Sequence, residues 1–126
     1  MIQEARVAAS SSQKPEKEIQ WIGSSLEDLQ GFPDDARRSA GFQLRRVQHG
    51  LDPEDWKPFD ELGAGVREAR LSEDSGVFRV MYVAKFAEAV YVLHCFQKKT
   101  RTTSMPDKSI TEARYRAVVA GKKSQK

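Results

Sequence analysis

The clearest pattern of hydrophobic and polar positions lies in the second half of the chain, where three segments are rich in β-branched and aromatic residues. These segments are Val66–Leu71, Val77–Ala84 and Ala89–Phe96, with short connections between them. Such composition favours strands, and short turn-like connections favour antiparallel neighbours. The pattern predicts an antiparallel meander of three strands.

The first half has a helical pattern that follows a short apolar stretch. Residues 19–22 predict a strand, and Ser24 and Glu27 have the spacing of a capping box, which predicts a short helix after it. Pro33 opens a second, longer helix that ends at Gly50. The apolar side of this second helix consists of Ala36, Ala40, Leu44 and Val47.

A last helix is predicted after Pro106 and Asp107. Its apolar side at helical spacing consists of Ile110, Ala113, Ala117 and Ala120. The same spacing turns Arg114 and Arg116 away from that side. Residues 121–126 are expected to form a frayed basic tail.

The remaining stretches have no regular period. Residues 1–17 mix alanine, serine and charged residues, which predicts a disordered N-terminal arm. The prolines and glycines of 51–65 predict an extended loop, from which Trp56 and Phe59 reach into the core. The order of elements predicts one α+β domain over 18–120, with its helices packed on one face of the sheet.

Size and composition agree with a single soluble domain. The chain has 126 residues and one cysteine, Cys95, whose apolar neighbours predict a buried thiol in a reducing compartment. No apolar run approaches the roughly 20 residues that span a bilayer, and the start of the chain does not resemble a signal peptide. We therefore expect a cytoplasmic protein that does not contact a membrane.

The net charge of +3 is unevenly distributed along the chain. Residues 1–65 contain 8 Lys/Arg and 12 Asp/Glu, a charge of −4, whereas residues 66–126 contain 13 and 6, a charge of +7. Clustered cations release counterions from phosphate backbones, so the second part is a candidate surface for a polyanion. A solvated basic face is the alternative that charge alone leaves open.

Several familiar kinds of site lack their motifs. The sequence has no glycine-rich phosphate loop, no paired-cysteine or HExxH metal motif and no GxSxG elbow. His49 is expected at a helix end, where it has a structural role. Strand alternation places His94 with Val90, Val92 and Phe96, which predicts a half-buried, hydrogen-bonded histidine. We expect no metal and no other cofactor.

Charged residues interrupt the predicted strands. Glu68 and Arg70 are two positions apart and so share a face, while Arg79 stands within an apolar run. An ion pair of Arg79 with Glu68 or Glu73 across the hairpin is one explanation, because directly opposite side chains lie about 5 Å apart. Binding of an anion is the other.

The end of the last predicted strand, residues 96–103, reads FQKKTRTT. Basic side chains contact phosphates, Phe96 can stack on a base, and threonines donate to phosphate oxygens. Lys99, Arg101 and Phe96 are therefore candidate RNA-binding residues, and Arg67 is a further one. Lysine-rich runs also occur as simple solubilising surface, and spacing does not separate the two.

Four motifs, in a fixed order, carry a resemblance to a known family. They are EAR at 68–70, FRVMY at 78–82, LHCFQKKT at 93–100 and, more loosely, ARYR at 113–116. The upstream segments IQWIGSSLEDLQGFP and LRRVQHG are also similar. Over about residues 18–119 the chain resembles the RelE/HigB toxin superfamily, in particular its phage-derived, HigB-like branch.

The resemblance implies a RelE-like fold, with an antiparallel sheet, two N-terminal helices and a C-terminal helix around a concave basic site. It implies the toxin of a type II toxin–antitoxin system, an endoribonuclease that needs no metal and cleaves mRNA on the ribosome. It also implies a cognate antitoxin, commonly one with a helix-turn-helix domain. In such enzymes the RNA 2′-hydroxyl attacks the adjacent phosphate.

The resemblance also suggests roles for five residues. Arg79 and Arg70 match the sheet arginines, and Arg79 is the first choice for stabilising the negative charge of the transition state. Lys98, together with Lys99, is the next choice, as a phosphate ligand or a proton donor. Glu68 is either a general base or a residue that orients an arginine, and the base is otherwise unidentified.

Two other functions remain open on the same fold. The chain could be a non-enzymatic inhibitor of DNA gyrase, like the ParE relatives, in which the basic cluster is a docking surface. It could also be an inactive phage-derived RNA-binding protein. The arginines within the sheet favour the nuclease.

Overall fold

The structure is a computed structural model that describes residues 16–124. Its elements are strand β1 (Glu18–Trp21), helix α1 (Ser25–Gln30), helix α2 (Asp34–Gln48), strand β2 (Trp56–Pro58), a 3-10 turn (Asp60–Leu62), strands β3 (Val66–Glu73), β4 (Gly76–Val83) and β5 (Ala89–Gln97), and helix α3 (Met105–Ser124). The predicted α+β fold is confirmed, and it is consistent with a RelE-like fold. Most of the predicted N-terminal arm lies outside the described residues.

The five strands form one sheet in the order β1-β5-β4-β3-β2. Strands β3, β4 and β5 pair antiparallel, which confirms the predicted meander. Strand β1 pairs with β5 in parallel, and β2 pairs antiparallel with β3 at the other edge. The meander therefore places the charged residues of β3 and β4 in the middle of the molecule.

Strand β2 was not expected, because its segment has the prolines of a loop. Its Trp56 lies opposite Ala69, and its last residue is Pro58. Proline cannot donate a hydrogen bond to a sheet, so it is tolerated at this edge position. Phe59 is buried as predicted, whereas Trp56 is only half-buried.

The helices cover both faces of the sheet rather than one. Helices α1 and α2 pack on the face that carries Leu71 and Val80, and the predicted apolar residues of α2 are all buried there. Helix α3 packs on the opposite face, where its Val118 joins a second core with Val66 and Met81. The prediction that all helices share one face is wrong for α3.

Helix α3 also presents a different side to the sheet from the one predicted. Its predicted apolar residues, Ile110, Ala113, Ala117 and Ala120, are exposed. Thr111 and Val118 are buried instead, and Arg114 donates from Nη1 to the carbonyl oxygen of Leu93 at 2.9 Å. Alanine offers little apolar area, so the helix orientation is decided by the larger residues and by arginine bonded to main-chain oxygen. The helix continues to Ser124, beyond the start of the predicted tail.

A bulge in β5 changes which residues share a face. Met81 lies opposite His94, but the next residue, Tyr82, lies opposite Val92, so Leu93 is the extra residue. His94 therefore shares its face with Phe96, as predicted, but not with Val92 or Val90. The strict alternation assumed from the sequence fails at this bulge.

Three local predictions have mixed outcomes. Ser24 precedes α1 without a side-chain cap, and its hydroxyl instead donates to Asp28 Oδ2 at 2.8 Å, so the predicted capping box is wrong. Cys95 is 2% exposed, and burial raises the pKa of its thiol to about 12, which confirms a buried thiol. Among the described helices, none is long and apolar enough to cross a bilayer.

Candidate functional site

Arg70 and Arg79 are direct cross-strand neighbours in the middle of the sheet. Arg70 of β3 lies opposite Arg79 of β4, and Phe96 of β5 lies on the other side of Arg79. Directly opposite residues point to the same face, which is the face that α3 covers. The row Phe96, Arg79, Arg70 therefore crosses three strands and places two guanidinium groups together.

Arg79 is buried and held from two sides. Its side chain is 6% exposed, and its Nε lies 3.5 Å from Glu68 Oε1. Its Nη1 donates to the carbonyl oxygen of Phe78 at 3.0 Å. Burial lowers the pKa of Arg79, and the Glu68 carboxylate opposes that effect. The ion pair proposed between Arg79 and Glu68 is present, whereas Glu73 forms no ion pair with any described residue.

Glu68 is placed to orient Arg79. The residue is 0% exposed, and Thr103 Oγ1 donates to its Oε2 at 2.9 Å. A carboxylate without solvent exposure cannot meet a substrate unless its surroundings move. Its geometry thus fits the orienting role, one of the two suggested for it. Thr103 was missed because a threonine in a polar connection carries no distinguishing pattern.

Three buried polar atoms in this cluster have no hydrogen-bond partner among the described residues. They are Glu68 Oε1, Arg70 Nε and Arg79 Nε. The Nε of Arg70 also lies 3.8 Å from Asp55 Oδ1, in an ion pair whose side chains are 38% and 62% exposed. Unsatisfied buried donors cost free energy unless a ligand or water completes them. Arg79 Nε and Glu68 Oε1 face each other as an ion pair, so the donors of Arg79 left for an anion are at its outer guanidinium nitrogens, which bond only the Phe78 carbonyl among the described residues.

Lys98 joins the two arginines at the end of β5. Its backbone nitrogen donates to the carbonyl oxygen of Val77 at 2.8 Å, which fixes the chain as it leaves the sheet. Partial burial lowers the pKa of the Lys98 ammonium, the nearby Arg79, Lys57 and Arg70 lower it further, and the Glu68 carboxylate opposes these effects. Lys98 is therefore part of a cation cluster, which we call the central site: Lys57, Arg70, Arg79 and Lys98.

Lys57 is the member of the central site that sequence reasoning missed. It lies in β2 directly opposite Glu68, and therefore on the face that carries Arg70 and Arg79. The segment was predicted to be a loop, so no strand register was assigned to it. A lysine two residues before a buried phenylalanine is the signal that could have indicated an edge strand.

The other predicted RNA-binding residues divide into two groups. Lys99 and Arg101 are exposed in the connection between β5 and α3, next to Lys98. Phe96 is 8% exposed, and its ring stacks on His94 with centroids 5.0 Å apart, so little of the ring is available to a base. Arg67 lies on the opposite face of the sheet, with its Nη1 2.6 Å from Asp52 Oδ1.

His94 anchors α3 to the sheet. Its Nε2 lies 2.7 Å from Asp107 Oδ1, and Asp107 accepts a further hydrogen bond from Ser104 Oγ at 2.7 Å. The Asp107 backbone nitrogen donates to the same Ser104 oxygen at 3.2 Å, which caps the helix. These contacts confirm a hydrogen-bonded histidine, buried rather than half-buried. Within the described residues no group of acidic, histidine and cysteine side chains could hold a metal.

A comparison with protein-family models identifies a family for this chain. The profile of the family described as Phage derived protein Gp49-like (DUF891) matches residues 27–117, a span that includes the whole central site, all of α2 and most of α3. That family is associated with RelE-like toxin proteins. No curated protein matches the chain. Because the match covers well over half of the sequence, the chain belongs to the phage-derived Gp49-like family.

Proposed function

We propose that this protein is the toxin of a type II toxin–antitoxin system and that it cleaves mRNA as a cytoplasmic endoribonuclease, on the ribosome. The observation that carries the proposal is the buried Arg79, which lies beside Arg70 and Lys98 and is oriented by Glu68. Buried cations with free donors suit a phosphate whose charge increases during reaction. Membership of a family associated with RelE-like toxins supports the same function.

The proposed reaction needs no water in its first step. The 2′-oxygen of one nucleotide attacks the adjacent phosphorus, the bond to the 5′-oxygen of the next nucleotide breaks, and a 2′,3′-cyclic phosphate forms. The proton of the 2′-hydroxyl passes to a base, and the leaving 5′-oxygen receives a proton. Arg79 and Arg70 donate hydrogen bonds to the phosphate oxygens, whose charge is greatest in the transition state.

Lys98 is the proposed proton donor to the leaving oxygen. A general acid works best when its pKa lies near the working pH, and burial with three cationic neighbours lowers the pKa of this ammonium. The same neighbours favour transfer of its proton, because the loss of that proton makes Lys98 neutral and relieves the repulsion among four clustered positive charges. Glu68 stays out of the proton transfers, since its carboxylate is enclosed by Thr103 and Arg79.

The test is inducible expression of the protein in bacteria, with and without the adjacent open reading frames, followed by genome-wide mapping of mRNA 5′ ends. New ends inside reading frames that disappear in the Lys98→Met variant are the expected result. Intact mRNA with a DNA-damage response would favour gyrase inhibition instead. RNA binding without growth inhibition or new ends would identify an inactive RNA-binding protein.

A further inference from the structure

A second basic cleft lies beside the central site, on the side of β2. Its cationic residues are Lys57, Arg101 and Lys108, and together with Phe59 and Thr102 they line a concave space of about 300 Å³. We call it the flanking cleft. Lys57 belongs to both, and Thr103 of the cleft donates to Glu68, which contacts Arg79, so the cleft adjoins the central site.

Two ammonium groups of the cleft converge on one aromatic ring. Lys57 Nζ lies 5.2 Å from the centroid of the Phe59 ring, and Lys108 Nζ lies 5.6 Å from it. Phe59 is 8% exposed and belongs to the second core, so the ring is a fixed support for both lysines. Cation–π contact orients an ammonium group without neutralising it.

The cations of the cleft are only partly neutralised by protein. Four cations form no ion pair with any residue that the structure describes: Lys57 and Arg101 of the cleft, Lys98 of the central site, and Lys99, which follows Lys98 in the chain. Lys108 Nζ lies 3.3 Å from Glu61 Oε2, but that carboxylate side chain is 64% exposed and can be displaced. Asp60 also lines the cleft, and its Oδ1 accepts a hydrogen bond from the Gly65 nitrogen at 3.0 Å. Like charges held together favour a bound polyanion.

We propose that the flanking cleft binds the backbone phosphate of a single-stranded RNA nucleotide next to the scissile position, through Lys57 and Lys108. This inference rests on the proposed function, because it requires that RNA occupy the central site. Because Lys57 belongs to both the central site and the flanking cleft, the two sites are neighbours. An RNA strand with its scissile phosphate in the central site therefore places its next phosphate in the cleft. Glu61 competes with that phosphate for Lys108.

The experiment measures binding separately from cleavage. The probe is a fluorescent single-stranded 2′-O-methyl RNA, which lacks the attacking hydroxyl, and anisotropy is recorded over a range of salt concentrations. The double variant Lys57→Gln with Lys108→Gln should lower the slope of log affinity against log salt by roughly 0.7 unit, one phosphate contact on a single strand. Each single variant should lower the slope by part of that amount, because the two lysines share one phosphate. Glu61→Gln should tighten binding, because it frees Lys108.

Arg116→Gln is the matched control. Arg116 lies on the same helix as Lys108, is 73% exposed and pairs only with Glu112 one turn away among the described residues. Its loss should leave the salt slope unchanged. A short RNA that covers only the scissile position should bind the Lys108→Gln variant and the unmodified protein equally well.

The outcomes separate this inference from the proposed function. If the lysine variants have reduced salt slopes but the unmodified protein does not cleave ordinary RNA, phosphate binding by the cleft is supported and the nuclease function is contradicted. Unchanged slopes in both lysine variants, with cleavage intact, would overturn the cleft alone. If the lysine variants bind RNA normally but release a co-expressed protein partner, the cleft is a protein-docking surface and the inference is wrong.

Discussion

At the scale of single residues, the central site contains one arginine with unoccupied donors, Arg79, and a carboxylate, Glu68, that only holds it in place. Arg79 has free donors and faces Arg70, whereas Glu68 is enclosed. The enclosure has a consequence for mutagenesis. Removal of Arg79 leaves a buried carboxylate without its counter-charge, which costs about 3–5 kcal/mol in comparable pairs.

Arg79→Ala should therefore abolish growth inhibition and also lower the free energy of unfolding. The double variant Arg79→Ala with Glu68→Gln should recover part of the lost stability, because the neutral amide needs no counter-charge, while toxicity stays absent. If one phosphate donor group is lost, the cleavage rate should fall on the order of 10²-fold or more. Urea denaturation and a growth assay measure the two effects.

Arg67→Ala is the control, since Arg67 lies on the opposite face and pairs with the half-exposed Asp52. It should retain toxicity. A stably folded double variant that remains fully toxic would remove Arg79 from the mechanism.

Thr103 is a second residue whose role is testable by near-isosteric replacement. Thr103→Val removes the hydroxyl that donates to Glu68 at 2.9 Å but keeps the side-chain volume. The loss leaves a buried acceptor unpaired, which costs about 1–3 kcal/mol. Because Glu68 then loses its orientation, we also expect kcat for RNA cleavage to fall more than KM rises.

Thr103→Ser keeps the hydroxyl and should restore kcat. A purely structural role for Thr103 would lower stability in the valine variant without changing kcat per folded molecule. Thermal unfolding and cleavage of a labelled RNA distinguish the two roles.

At the scale of secondary-structure elements, α3 is attached by polar contacts as much as by apolar ones. Arg114 Nη2 donates to Ser24 Oγ at 3.1 Å, in addition to the bond from Nη1 to Leu93 oxygen. One guanidinium group therefore connects α3, β5 and the turn before α1. Arg114, predicted to point away from the apolar side of the helix, therefore anchors α3 to the rest of the molecule.

Arg114→Met should destabilise the protein, because it keeps the apolar stem but leaves the Leu93 carbonyl and the Ser24 hydroxyl without their donor. The expected loss is about 1–3 kcal/mol. Arg116→Met, two positions away and exposed, should change the free energy of unfolding by less than about 0.5 kcal/mol. Equal midpoints in urea for the two variants would show that Arg114 does not anchor the helix.

The elements that the sequence predicts well are those with large apolar residues in a regular period. Helix α2 and strands β3 to β5 are of this kind, and the register of β3 and β4 brings Arg70 and Arg79 together. Helix α3 was misplaced because alanine marks a face only weakly, while Thr111 and Arg114 satisfy their polar groups by bonding main-chain oxygens. Strand β2 and the β5 bulge depend on tertiary pairing, which has no local signal.

The same distinction explains which parts of the site were found. Arginines in apolar strands stand out, so Arg70 and Arg79 were recognised. Lys57, Thr103 and Lys108 belong to segments of ordinary polar composition, and only the folded chain brings them beside Arg79. Arg67 was predicted to bind RNA together with Lys99 and Arg101, yet strand alternation turns it to the face opposite Arg79.

At the scale of the whole molecule, the cations of the basic second part of the sequence divide into a buried group and an exposed group. Arg79 is 5% exposed, whereas Lys99 and Arg101 are exposed in the connection between β5 and α3, which we call the entrance. A nuclease with such an entrance can be inhibited by a partner that covers it. Acidic or amphipathic segments suit this role, because charge complementarity speeds and directs association.

We therefore predict that a small antitoxin, encoded next to this protein, binds over the Lys99–Arg101 entrance and blocks RNA. Co-expression of a tagged toxin with each adjacent reading frame should co-purify one partner and restore growth. Reversal of charge in Lys99→Glu with Arg101→Glu should weaken that complex, since both residues are exposed and free of ion pairs with the described part of the chain. The Arg67→Glu variant on the opposite face should bind the partner normally. If the charge-reversed variant binds the partner as tightly as the unmodified protein does, the partner does not cover this entrance. If no neighbouring gene product binds or restores growth while the isolated chain stays toxic, the paired-operon arrangement is wrong. That result would leave RNA cleavage itself untouched.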